Sequence, residues 1–440
     1  MPAATPPSAQ PGPPQLPLRS AWLMLLTLIG GFALSQAYRT LAGILSVPLT
    51  EHFQLSPQTM GLIAATFHYA FGGMQLLMGI GIDVFGIRRT ILLAFPLTIA
   101  GAALSALAGS AAQLVLGQAL IGIGCAPAFL VCTVFIARYF PAQRFAAISG
   151  LALGIGSLGM IFTGTPLAWL VERFGWQTGF GLLAALSLLA WLLIYWRVFE
   201  PSAPANDPTS ANANTDTNDR QSAANAPAAQ RESPWQALKG YGLLLRMPHT
   251  AGILALVFVG YAAFIALRGL WLAPYLGQRF GQDLIFSGNV ALALSVISLF
   301  SPSLFGRLDP GSNQRRRWLL MRLPWLIVAL FLLLAATQQL WLAVAAILAI
   351  AVLGGYGVWQ YADVRAAYPS HMTGRAMALF TMSMFLGVAV MQTLTGAAAG
   401  WALAHGREPF FTVFACIALV MALGVGAYAL LPKPAAQSQG

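Results

Sequence analysis

Two arginines, Arg39 and Arg268, stand inside long apolar stretches of a 440-residue chain whose 12 acidic residues fall outside those stretches or at their ends. A guanidinium keeps its charge at any accessible pH, and holding one at the centre of a membrane helix costs about 2.5 to 3.5 kcal/mol even on lenient scales. Such a group must face water, backbone carbonyls or an anion. Its planar donors match both oxygens of a carboxylate or phosphate. Anion capture without a protein counter-charge is therefore the chemistry these two positions suggest.

The neighbours extend that reading. Tyr261, Phe264, Trp271 and Tyr275 share the helical face of Arg268 and would form an aromatic wall for an apolar or planar acid. Packing is the plainer role for such aromatics, and interface anchoring for Tyr275. Tyr38 adjoins Arg39 but points about 100° away. His68, facing the same way as Gln75 with Gly72 between them, is the one histidine central in an apolar run. It is the side chain that could carry a coupling proton near neutral pH, a structural hydrogen bond being its other reading. Gln118, Trp359, Gln360, Tyr361 and Gln392 are further polar candidates. Arg39, Arg268, Tyr38, His68, Tyr261, Phe264, Trp271 and Gln360 make up the expected substrate site.

Cys125, Cys132 and Cys416 lie in apolar runs and read as packing residues rather than as a disulfide framework or zinc site. The sequence shows no nucleophile constellation, metal cluster or phosphate-binding loop, so neither an enzyme nor a cofactor is expected.

What must position these residues is a set of membrane helices. The chain is 58% hydrophobic and 8% charged, far from the roughly 25% charged content of soluble domains. Apolar runs fall near 21–46, 58–82, 90–110, 113–139, 145–171 and 177–197, then near 248–275, 285–306, 317–336, 340–364, 374–402 and 409–431. Runs of this length without alternation read as helices, because hydrocarbon leaves no backbone amide unpaired. The expected architecture is an all-α membrane protein of twelve transmembrane helices in two six-helix bundles, 21–198 and 248–432. A linker at 199–247, rich in Ala, Asn, Pro and Ser, joins them, and tails at 1–20 and 433–440 flank them; linker and tails are expected to be largely disordered and cytoplasmic.

Charge placement orients this arrangement. Of 23 Lys and Arg, 18 fall in tails and loops assigned to the cytoplasm, and three, Arg173, Arg279 and Arg407, on the outside; such asymmetry is the positive-inside pattern. Arg39 and Arg268 are the two left over. The net charge of +11 punctuates apolar runs instead of clustering, which points to membrane lipid as partner and not to nucleic acid.

The halves echo each other. Val47-Pro48-Leu49 with Phe53 and Gly61 parallels Ala273-Pro274-Tyr275 with Phe280 and Gly288, and Trp169 to Gly175 parallels Trp401 to Gly406. A weaker echo pairs Gly79, Asp83 and Arg88 with Gly306, Asp309 and Arg315. The run Gly79-Ile-Gly-Ile-Asp83-Val-Phe-Gly86-Ile-Arg88-Arg89 resembles the signature between the second and third helices of the major facilitator superfamily. Tyr139-Phe-Pro-Ala-Gln-Arg144 and Phe174-Gly-Trp-Gln resemble two of its other turns. The resemblance, covering about 21–432, implies two bundles rocking around a central site, with Gly79, Asp83, Gly86, Arg88 and Arg89 as a cytoplasmic gate. Val84 and Ile87 replace basic residues usual in that signature. Gln118 stands where proton-driven drug antiporters of the family carry arginine, a departure that argues against that branch.

Arginines on the first and seventh helices resemble the organic anion and organophosphate branch. The expectation is a monomeric secondary transporter in a bacterial cytoplasmic membrane, moving a small organic anion, a carboxylate foremost, as symporter or exchanger with a proton or counter-anion. Efflux of drugs or hydrophobic compounds is the alternative; a non-transporting sensor is the remote one.

Overall fold

The computed structural model describes residues 17–141, 144–199, 241–369 and 372–433. The first tail up to residue 16, most of the linker (200–240), the last seven residues and the side chain of Asp83 lie outside the described residues.

Helices α1 (Leu18–Phe53), α4 (Ala111–Tyr139), α5 (Ala147–Phe174) and α6 (Trp176–Arg197) belong to the first half, and α7 (Thr250–Arg279), α8 (Leu284–Arg307), α9 (Asn313–Ala336), α10 (Leu340–Ala367), α11 (Thr373–Ala404) and α12 (Pro409–Leu430) to the second. Between α1 and α4, Pro57–Ala106 is one run broken at Gly86 into α2 (57–85) and α3 (87–106). Among the described residues 11 helices are long and apolar enough to cross a membrane. The limb α2 makes the twelfth; Gln58, His68 and Gln75 lower its apolarity. No strand occurs among the described residues.

The sequence put loops at 83–89 and through 247, and the structure corrects both. Gly86 alone leaves helical geometry, at φ 83° and ψ 173°, a region open to glycine because it lacks a Cβ. Residues 241–246 are helical, and Thr250 Oγ1 donates to the Leu244 carbonyl at 2.7 Å, folding this turn onto α7. Helix starts follow their caps: Asp283 Oδ1 accepts the Phe286 N–H at 2.6 Å and Glu408 Oε2 that of Phe411 at 3.0 Å.

Two helices depart from regular winding where the site lies. In α5, Gly164 N–H donates to the Ile161 carbonyl at 3.0 Å, one residue short of the helical partner, and Pro166 has no N–H to give. In α7, Leu267–Trp271 and Tyr275–Arg279 wind as π-helix.

With an even number of spans, the start of α1 and the end of α12 lie on one face. Away from it, the halves share one apolar core, in which Leu41, Ile63 and Ile121 pack in a cluster with Leu270, Ala291 and Met391. Toward the chain ends, Leu25, Phe95, Phe135 and Ile194 form a separate core confined to the first half. The cores of the two halves thus merge on the far side, while the first half keeps a core of its own on the other. Close backbone approach makes the far-side seal: a methyl added at Gly61 of α2 would sit 2.7 Å from the Gln392 carbonyl oxygen of α11.

Candidate functional site

Arg39 reaches the seam between the halves from α1. Its Nη1 donates to Gln36 Oε1 at 2.6 Å, one turn back on the same helix. The guanidinium carbon lies 4.6 Å from the ring centre of Phe71 on α2 and 4.6 Å from that of Phe385 on α11. One ring comes from each half. Tyr261 and Tyr361 of the second half are within electrostatic reach, and Tyr361 is exposed in the gap toward the chain ends. Two cation–π contacts supply about 0.5 to 2 kcal/mol each, against about 2.5 to 3.5 kcal/mol for the buried charge. Together, at about 1 to 4 kcal/mol, they offset some or all of the burial, yet the charge has no acidic counter-ion among the described residues. Arg39 Nε has no partner in the protein.

Arg268 sits one turn nearer the far face; Gly43, four residues beyond Arg39, packs against the Arg268 carbonyl. Its side chain is fully buried and crosses to the other half. Nη2 donates to the Met160 and Thr163 carbonyls, each at 3.2 Å, and to Thr163 Oγ1 at 3.3 Å, while Nε reaches Ser295 Oγ at 3.4 Å. The break in α5 explains the first two acceptors. Gly164 N–H goes to Ile161 and so leaves the Met160 carbonyl without a backbone donor, met instead by the hydroxyls of Thr163 at 3.0 Å and Ser295 at 3.3 Å beside Arg268, and a cation is favoured at such a carbonyl end. Arg268 therefore acts here as a clasp between halves, with Nη1 left unpartnered. Among the described residues neither arginine has an acidic partner.

His68 and Gln392 complete the centre. His68 Nδ1 is 3.3 Å from the Ala64 carbonyl, its ring stacks at 6.4 Å on Phe385, and Nε2 has no partner in the protein. Gln392 on α11 is fully buried and approaches the His68 ring to within polar reach, but among the described residues neither amide atom meets hydrogen-bond geometry.

The remaining expected site residues divide. Tyr261 and Phe264 are half-buried, and the Tyr261 ring meets Phe385 at 5.9 Å. Tyr38 turns into the first half, its hydroxyl 3.1 Å from Ser187 Oγ. Trp271 Nε1 donates to Thr395 Oγ1 at 2.9 Å, and Tyr275 Oη to the Leu334 carbonyl at 2.9 Å, so both pack within the second half. The π-turn at Leu267–Trp271 is the reason: an inserted residue rotates all that follows by about 100°. Gln360 lies with Tyr356 under Gly260, whose missing side chain makes room for both.

At the chain-end face, Arg88 Nη2 donates to the Tyr195 carbonyl at 3.0 Å, a contact inside the first half; Arg89 is exposed, and Gly79 lies within α2. In the weaker echo, Asp309 pairs with Arg316 at 3.0 Å rather than with Arg315. The sequence placed every carboxylate at or outside span ends, yet Asp363 is buried in α10, bonded to Arg317 Nε at 2.8 Å and Tyr428 Oη at 2.7 Å. Its charge is spent there and does not reach Arg39.

Sequence reasoning missed Phe71, Phe385 and the α5 carbonyls. Phe71 stands three residues after His68, and Gln36 three before Arg39, spacings that a helical wheel would have flagged. Phe385 and Met160 meet the arginines only through tertiary packing. Among the described residues no group of His, Cys, Asp and Glu is placed to hold a metal.

Comparison with known proteins places this geometry. The chain is 31% identical over 185 residues to solute carrier family 2, facilitated glucose transporter member 10, of Homo sapiens, covering 40% of this chain and 33% of that protein. It is 25% identical to the probable sulfoacetate transporter SauU of Cupriavidus necator, over 54% of this chain and 52% of the relative. The probable anion transporter 4, chloroplastic, of Oryza sativa subsp. japonica shares 26% identity over 73% of this chain and 53% of its own. The matched stretches thus span a third to about half of these relatives. Among solved structures, a bacterial homolog to the human lysosomal transporter Spinster, inward-facing and occupied, superposes with a TM-score of 0.69 at 17% identity, covering 94% of this chain and 97% of that one. A D-xylose-proton symporter gives 0.66 at 14% identity, over 94% and 98%. The family model of the Major Facilitator Superfamily matches residues 27–391, and with twelve helices in two halves around a shared seam the chain is an integral membrane protein that belongs to this superfamily.

Proposed function

We propose that the chain is a secondary transporter that moves a small organic anion, a carboxylate foremost, by alternating access between its bundles at 21–198 and 248–432. One observation carries this reading: the Arg39 guanidinium is buried at the seam, held by one phenyl ring from each half, with no carboxylate beside it among the described residues. An anion supplies the missing counter-charge and touches both halves at once. Arg268 joins the site when the anion competes with the Met160 and Thr163 carbonyls for its donors, which loosens the far-side clasp. Substrate binding and gate release are then one exchange.

Relatives named as sulfoacetate and anion transporters support an anionic cargo. The glucose-transporter relative raises a sugar as the other cargo. A neutral sugar would leave the Arg39 charge uncompensated, so the anion is favoured. Positive-inside asymmetry supports both chain ends on the cytoplasmic side of a bacterial inner membrane, in which case the gap faces the cytoplasm. The chain is read as a monomer; a proton on His68 or a counter-anion couples the movement.

The test is uptake into proteoliposomes of labelled carboxylates, a sulfonate and glucose by the purified chain. Carboxylate uptake should exceed glucose uptake, and Arg39→Ala should abolish it. Glucose uptake that survives Arg39→Ala, with no anion carried, overturns the proposal.

A further inference from the structure

Beyond the oxyanion, the seam holds a second set of polar atoms that the charge-binding role does not use. His68 and Gln392 face each other from α2 and α11, one from each half, both buried. His68 flanks the Phe385 ring that carries Arg39: the guanidinium carbon is 4.6 Å, and the His68 ring 6.4 Å, from the same Phe385 centre. Gln392 also adjoins Gly269 on α7, its Nε2 3.7 Å from where a Cβ would stand.

Hydrogen-bond chemistry fixes what these atoms can recognise. A carbonyl can only accept, so the 3.3 Å contact from His68 Nδ1 to the Ala64 carbonyl puts the imidazole proton on Nδ1. Nε2 of the neutral ring is then an acceptor, and among the described residues none meets it at hydrogen-bond geometry, the Gln392 amide being its nearest polar neighbour. The adjacent Gln392 amide offers two donors and an acceptor, likewise unpartnered. Buried polar groups are nearly always bonded, and leaving such groups bare costs about 1 to 3 kcal/mol each. An acceptor beside an amide suits a hydroxyl group, which donates to the imidazole and accepts from the amide.

We propose that His68 and Gln392 form a hydroxyl subsite, so that the substrate is a hydroxy acid bound with its carboxylate at Arg39 and a hydroxyl toward the α2–α11 seam. This rests on the anion reading above and narrows it to a substrate class. The bound hydroxyl bridges the halves where Gly61 and Gln392 make their closest approach, so hydroxyl recognition and far-side closure use one seam.

The experiment measures binding of matched acids to the full purified chain by calorimetry: L-lactate against propionate, D-glycerate against propionate, and D-gluconate against hexanoate. At least one hydroxy acid should bind about five- to tenfold tighter than its deoxy partner, the scale of one net hydrogen bond. Gln392→Met and His68→Phe should shrink that preference to within about twofold, read as the ratio of hydroxy-acid to deoxy-acid affinity within each variant, so that any change common to both acids cancels. If carboxylates bind and depend on Arg39 but no hydroxyl confers an advantage, the subsite is overturned and the anion reading stands. If none of the acids binds, both fall. Should either variant fail to fold, the wild-type comparison of each pair decides alone.

Discussion

Arg268 Nη2 lies 3.2 Å from the carbonyl oxygen of Thr163, a residue of the opposite half. The bond ties the seventh helix to the break in the fifth and makes a buried cation part of the far-side seal. A charged donor on a buried carbonyl contributes about 1.5 to 3 kcal/mol, enough to set which side of the molecule is open.

Removing that clasp should therefore shift the conformational balance. Arg268→Gln is expected to raise the labelling rate of a cysteine placed at Ala168 by about tenfold, the change that 1.4 kcal/mol produces. Ala168 of α5 is fully buried and packs on Gly288 of α8 across the same seam, so its exposure reports opening. Labelling at the wild-type rate would show that Arg268 does not hold the seal.

The rings around Arg39 give a graded prediction. Phe385→Leu keeps the apolar volume but removes one of two cation–π contacts, worth about 0.5 to 2 kcal/mol. KM for the anion should change by about two- to thirtyfold, and Phe71→Leu by a similar factor. Arg39→Lys should recover little, since an ammonium lacks the planar face that both rings contact. Transport kinetics in proteoliposomes measure all three.

A separate role falls to Asp363. It is buried and bonded to Tyr428 and to the half-buried Arg317, and removing its charge should cost less than the roughly 3 to 5 kcal/mol of a fully buried pair. Asp363→Asn should lower the melting temperature more than Asp309→Asn, whose partner Arg316 sits in a more exposed pair. Equal shifts would show that the α9–α10–α12 junction does not depend on Asp363.

His249, just before α7, supplies a pH dependence. Burial, with Arg317 nearby, lowers its pKa below the usual histidine value, while Asp363 opposes the shift. The sign follows from proton uptake: below about pH 6.5 the unfolded chain binds a proton that the folded chain resists, so folding weakens as pH falls through the folded pKa. Thermal melts at pH 7.5 and 5.5 should differ less for His249→Asn than for wild type. An unchanged difference would remove His249 as the source.

Much of the architecture was legible in the sequence, for reasons specific to lipid. Apolar runs must be helical, so the twelve spans and two halves followed from composition and length, and the positions of Arg39 and Arg268 on matching helices followed from counting residues. That Arg39 is buried without an acidic partner among the described residues was legible too, because its apolar run holds no carboxylate.

Only the tertiary structure decided what surrounds those charges. Trp271 and Tyr275 left the expected aromatic wall because π-turns in α7 shift the helical phase, and no residue pattern announces such turns. Phe71 and Phe385 became a pair around Arg39 because α2 and α11 approach across glycines from opposite halves. Arg268 found carbonyls at the α5 break instead of open space, and Asp363 proved buried yet already paired. The sequence by itself determined that two charges lie in apolar helices; which groups meet them depends on helix phase and on the close packing of two halves, and neither is local to any one helix.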